Sequence, residues 1–153
     1  MIGLNGPSTP CAFGLLQGDP ERRPAAPILI ITAKHVAPGG FSVLAGSAAT
    51  FHGALEAGAS GGILALGCIL PDACVRLYEL TRAGRHDEAR TLQQQLVPLT
   101  QLIGSAYGVP GVKAALNLLG FDVGYPRPPL IPLTGPTVAA LREALHAVQE
   151  IPA

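Results

Sequence analysis

The chain has 153 residues, 48% hydrophobic and 13% charged, which is enough apolar material for one core and too much for a disordered chain. Its ten basic and ten acidic residues cancel without a Lys/Arg cluster, so a nucleic-acid or anionic-membrane surface is excluded and small molecules or other subunits are the expected partners. The longest apolar run, Gly61 to Leu70, is too short to span a bilayer, and no basic segment followed by an apolar core marks the N-terminus as a secretion signal.

Residues 1–27 carry five prolines and four glycines with neither a helical nor a strand period, and are expected to be irregular. Ile28 to Lys34 is rich in β-branched residues and looks like a strand. Only His35 to Gly40 separate it from the next apolar run, however, and a parallel crossover needs about a dozen residues. The segment 28–36 is therefore read as a helix ended by Pro38-Gly39-Gly40.

Phe41–Ala45 and Gly61–Leu66 read as buried strands. The fifteen residues between them, Gly46 to Ser60, suit a crossover helix and are too many for a hairpin, so the two strands should be parallel neighbours. Neither shows polar alternation, which is the pattern of a sheet covered on both faces. The fold class is α/β. Within the crossover, Phe51, Ala54 and Leu55 have helical spacing, and His52 among them reads as a surface or packing residue.

Four helices should follow. Pro71-Asp72 opens one that carries Val75, Leu77, Tyr78 and Leu80 and closes at Ala83-Gly84. His86-Asp87-Glu88 opens the next, with Ala89, Leu92, Leu96, Leu99, Leu102 and Ile103 inward, Gln93-Gln94-Gln95 on a polar face, and a kink or bend at Pro98. A third runs from about Pro110 to Leu119 and stops at Gly120; Phe121 to Pro136 is a proline-stiffened loop; Thr137 to Val148 is the last helix, with Leu141, Leu145 and Val148 inward. The cysteines Cys11, Cys68 and Cys74 are odd in number and lack metal-ligand spacing, so a reduced, buried, structural role is expected of them.

The order AGSA, EAGASGGILAL, PDACVRLYELTRAG, YGVPGVKAALNLLG, RPPLIPL resembles the C-terminal half of the dihydrodipicolinate synthase, N-acetylneuraminate lyase and 4-hydroxy-2-oxoglutarate aldolase family, from about Ile28 to Val148. The resemblance implies a partial (β/α)8 barrel with a C-terminal helical extension, Phe41–Ala45 and Gly61–Leu66 being its last two strands, preceded by the irregular segment 1–27. It also implies carbon–carbon bond chemistry on pyruvate-type keto acids through a lysine imine, with no cofactor and no metal. Gly46 and Ser47 match the family's substrate-facing turn after the seventh strand, and Ile63 matches a residue whose backbone lies against the pyruvate-derived imine. Without the resemblance, Gly46 reads only as a strand-end turn and Ile63 only as core. Cys68 stands where the family usually has an asparagine.

A whole barrel of this kind needs about 250 residues. Ile2-Gly3-Leu4-Asn5 resembles the start of the strand that bears the imine lysine, with Asn5 in the lysine's place, and a carboxamide cannot form an imine. Lys34 falls on the helix before the seventh strand and Lys113 on a C-terminal helix outside the active site. No residue of this chain is therefore assigned a catalytic role, and the chain alone is expected to be inactive. Unpaired strand edges and an apolar sheet face make a homo-oligomer, or pairing with a full-length subunit, the expected state. The expected location is cytoplasmic, with mitochondrial import the alternative.

Overall fold

The fifteen residues between the two apolar runs fold as their number requires. In a computed structural model, which describes residues 42–149, β1 (Leu44–Ala45) and β2 (Gly61–Gly62) pair in parallel, Leu44 opposite Gly61 and Ala45 opposite Gly62. The crossover is a 3-10 turn, Ala48–Thr50, running into α1 (Phe51–Glu56). The segment 1–27, the helix expected at 28–36, and with them Asn5, Cys11, Lys34 and Phe41, lie outside the described residues.

Both strands are shorter than the apolar runs that announced them. Pairing extends from Ser60 N–H, which donates to Val43 O, to Ile63 N–H, which donates to Ala45 O, each at 2.8 Å. Beyond that, the chain after β1 leaves at Gly46, and β2 has no further partner among the described residues. The backbone stays extended at Leu64 and then winds into a 3-10 turn, Ala65–Cys68, which drives Leu66 and Ile69 into the core. Burial drives a turn as readily as a strand, and an apolar run of six does not distinguish them.

The expectation that both sheet faces are covered is also corrected. Side chains alternate along a strand, so Leu44, Gly61 and Ile63 share one face, and Ala45, Gly62 and Leu64 the other. The second face packs on the helices: Ala45 is buried with Phe51, and a Cβ on Gly62 would stand 2.8 Å from Phe51 Cε2. On the first face Leu44 is 51% and Ile63 76% exposed.

The helical part follows the sequence closely. Pro71 occupies the first turn of α2 (Pro71–Arg82), where its missing N–H costs nothing, and Asp72 beside it complements the helix dipole. Gly84, at φ 75°, lets the chain reverse into α3 (His86–Gln101). This helix runs on through exposed Pro98, and the winding changes only afterwards, in a π turn at Leu102–Ala106. Next come α4 (Gly108–Leu118) and α5 (Pro136–Gln149). Leu77 and Leu80, Leu92, Leu96 and Leu99, and Leu141, Leu145 and Val148 meet in one core. Between α4 and α5 no regular element forms, and the loop is tied back by Lys113 Nζ donating to Val123 O at 2.6 Å and by the Asn117 carboxamide bonding Val123 N and Gly124 O.

Gln93 departs from its expected polar face: it is buried, while Gln94 and Gln95 are exposed. Its Oε1 accepts from His52 N–H at 3.0 Å and its Nε2 donates to Ala48 O at 2.8 Å. One side chain of α3 thus bonds two backbone groups of the crossover, the His52 N–H of α1 and the Ala48 carbonyl of the 3-10 turn, which also accepts from Phe51 N–H.

Candidate functional site

In parallel α/β folds, ligands bind beyond the carboxyl ends of the strands, where side chains from different strands converge. Here that edge is formed by Gly46 and Ser47, which follow β1, and Ile63, which follows β2. The Ile63 N–H to Ala45 O bond holds the two exits side by side. All three residues are exposed. Ser47 is extended, at φ −125° and ψ 124°, and its hydroxyl makes no capping bond to the turn it precedes. At Gly46 a Cβ would meet nothing within 4 Å, so the glycine leaves space on that edge. Because the Ile63 N–H is held in the ladder, the polar group this residue can offer a ligand is its carbonyl. Ile63 is thus not the core residue that its apolar surroundings in the sequence suggest.

Two cavities among the described residues are lined by other side chains. A cavity of about 340 Å³ is lined by Phe51, Gly62, Leu64, Gly67, Cys74 and Tyr78 among others, on the helix-facing side of the strands. Burial pushes the Cys74 thiol up, which reduces the thiolate and argues against a nucleophile there. Cys74 is half-buried and Cys68 exposed, both as free thiols, so the expectation of a buried Cys68 is corrected. The residue sits in the 3-10 turn that replaced the end of the expected strand, and the turn points it outward. A second cavity, about 210 Å³, lies between α4 and the proline-rich loop, with Lys113, Asn117 and Tyr125 in its wall. It shares no residue with the Gly46–Ser47–Ile63 edge.

His52 is a packing residue, 5% exposed, but not an isolated one: its ring faces Glu56 and His86. Glu56, His86 and Gln93 were not singled out by sequence reasoning. His86 and Gln93 meet their partners across elements, and the signal available was only the four-residue interval between His52 and Glu56 on α1. No helix among the described residues is long and apolar enough to cross a membrane.

The sequence model of the dihydrodipicolinate synthetase family matches residues 28–148. The 4-hydroxy-tetrahydrodipicolinate synthase of an Exiguobacterium species is 36% identical over 115 residues, 74% of this chain and 39% of the relative. That of Methylobacterium radiotolerans is 40% identical over 107 residues, 69% of this chain and 36% of the relative. Among solved structures, the 4-hydroxy-tetrahydrodipicolinate synthase of Methylacidiphilum fumariolicum superposes with a TM-score of 0.75 at 30% identity, covering 81% of this chain and 41% of that one. The dihydrodipicolinate synthase of Thermotoga maritima gives 0.74 at 28% identity, over 81% and 42%. The chain thus spans about two fifths of the length of the relatives it matches. The short parallel pair with its surrounding helices is consistent with part of a (β/α)8 barrel.

Proposed function

Because the chain belongs to the dihydrodipicolinate synthetase family, matched over residues 28–148, we propose that it carries the C-terminal part of a Schiff-base aldolase or lyase acting on pyruvate-type keto acids. Its nearest activities would be those of 4-hydroxy-tetrahydrodipicolinate synthase or 4-hydroxy-2-oxoglutarate aldolase. The observation that carries the reading is the meeting of Gly46, Ser47 and Ile63 at the carboxyl ends of two parallel strands, locked by the 2.8 Å bond from Ile63 to Ala45. In that reading the Ser47 hydroxyl donates to the oxygen-rich end of the keto acid. The Ile63 carbonyl accepts from the protonated imine, and Gly46 leaves the space for both. The division of the chain that goes with this reading is drawn from the sequence, 1–27 as the Pro/Gly-rich segment and 28–153 as the barrel part with its helical extension.

Imine formation further requires an amine desolvated enough to be nucleophilic near neutral pH. The chain has two lysines. Lys113 is tied to Val123 O and lines a cavity away from the strand ends. The resemblance of Ile2-Gly3-Leu4-Asn5 to the start of the lysine-bearing strand would put Asn5 in the place of the imine lysine, so the reading assigns this chain the wall of a pocket and not its nucleophile. Incubation with pyruvate and borohydride followed by intact-mass measurement tests it, since reduction makes any lysine imine permanent. An unmodified mass is expected. A stoichiometric adduct mapped to Lys34 or Lys113 would overturn the assignment of Asn5 to the lysine's place.

A second reading is favoured by a specific observation, the apolar face bearing Leu44 and Ile63. There the chain is a non-catalytic half-barrel that covers this face by association with another copy or with a full-length subunit.

A further inference from the structure

We propose that His52, Glu56 and His86 form a binding site for a divalent transition metal of the zinc class, separate from the strand-end edge. His52 and Glu56 stand four residues apart on α1, which puts both on one side of the helix. His86 opens α3 and meets them from the neighbouring helix. His52 Nδ1 lies 3.3 Å from Glu56 Oε2, and His86 Nδ1 lies 3.2 Å from Glu56 Oε1. One donor atom from each residue falls within 4.8 Å of the others, and the two imidazoles meet edge to face with centroids 5.9 Å apart.

These distances are those of a ligand set. Tetrahedral zinc with bonds of about 2.0–2.1 Å holds its donor atoms roughly 3.3–3.4 Å apart. Each imidazole nitrogen already stands at about that separation from a Glu56 oxygen, His52 from Oε2 and His86 from Oε1, and a single set of one donor atom per residue, within 4.8 Å as it stands, closes by adjustment of the more exposed side chains, Glu56 and His86 at 40% and 45%. Two imidazoles and a carboxylate suit zinc in charge and softness, and copper, nickel and cobalt through the same nitrogens. Glu56 and His86, both partly exposed, leave the cluster accessible to solvent on their side.

The site is also held in advance. His52 is buried, and its backbone N–H is bound to Gln93 on α3, the helix that supplies His86. The Gln93 bond to Ala48 O fixes the same helix pair one turn away. Arg85 and Arg90, beside His86 and one turn beyond it in the sequence, pair with Glu88 and Asp87. Glu56 closes α1, at the end where the chain turns to enter β2, whereas Gly46 and Ser47 follow the exit of β1. A metal at Glu56 therefore braces the helices and does not reach the edge assigned to the keto acid.

The test is calorimetric titration of the whole chain with zinc chloride near neutral pH, joined to absorption spectra with cobalt(II). One saturable equivalent is expected, with cobalt d–d bands of nitrogen and oxygen ligation and no thiolate charge-transfer band. Glu56→Gln keeps the shape and removes the carboxylate, and His86→Asn removes an exposed ligand; each should weaken binding by at least about 100-fold, since even outer-shell losses cost roughly 10–100-fold. His146→Asn, outside the cluster, should bind as the parent does. Absence of saturable binding, a thiolate band pointing to Cys68 or Cys74, or parental affinity in both Glu56→Gln and His86→Asn would each overturn the proposal and leave the cluster as a carboxylate accepting from two imidazoles.

Discussion

The helices from α2 to α5 and the strand pair β1–β2 bury their apolar residues to very different degrees. On the helical side Leu96, Leu99 and Leu141 have no exposed surface, and the four helices converge on them. On the strand side one face carries Leu44 and Ile63 into solvent, and the ladder is two residue pairs long. The helical part can therefore hold itself together, and the strand pair depends on it through the single face that bears Ala45, Gly62 and Leu64. The proposed keto-acid edge sits on the part that contributes least to cohesion, as expected of residues placed for a ligand and not for packing.

The sharpest way to break this comparison is from the helical side. Leu99→Ala removes a fully buried side chain between helices that cannot close the gap, so a loss of about 3–5 kcal/mol is expected. Urea unfolding followed by circular dichroism measures it. A loss below about 1 kcal/mol would mean that the helices do not form the cohesive part.

Gly62→Ala probes the joint between the two regions and should have a smaller effect. The added methyl would stand 2.8 Å from Phe51 Cε2, 3.0 Å from Leu64 Cδ2 and 3.1 Å from the Ala45 carbonyl oxygen. Phe51 is buried and the carbonyl belongs to the ladder, so neither gives way easily. Overpacking of about 1–3 kcal/mol is expected in the same urea experiment. Gly61→Ala, whose methyl meets only Leu44 Cδ2 at 3.6 Å, serves as the matched control that should change stability far less.

What could be read from the sequence follows the same division. The helices were legible because their cues are local: Pro71-Asp72 at one start, Gly84 and Gly120 at two ends, leucines at helical intervals throughout. The strand pair was legible in existence and direction, since the length of a crossover is itself a constraint, but not in extent. Ladder length depends on when the partner strand leaves, and Gly46 ends β1 without leaving a mark near Leu64. Gln93 illustrates the other loss. Three consecutive glutamines look alike, and only the approach of Ala48 and His52, more than forty residues earlier, selects the first, Gln93, as a buried clamp. The His52–Glu56–His86 cluster was hidden likewise, one member being on a different helix.

The smallest expected effect on stability concerns the open face. Ile63→Ser replaces an apolar side chain that is 76% exposed, and the ladder bond it shares with Ala45 runs through the backbone and survives the change. The isolated fold should therefore lose no more than about 0.5 kcal/mol. Association is another matter. If another copy covers this face, Ile63 lies among the apolar side chains excluded from water, and a hydroxyl in its place would be buried without an assured partner. Size-exclusion chromatography over a range of concentrations separates the two quantities: the parent chain should elute as an oligomer, and Ile63→Ser should shift toward the monomer while its urea midpoint at low concentration is unchanged. A parent chain that elutes as a monomer at every concentration, with a cooperative unfolding transition, would remove the half-barrel association reading and leave Ile63 with only its backbone role at the keto-acid edge.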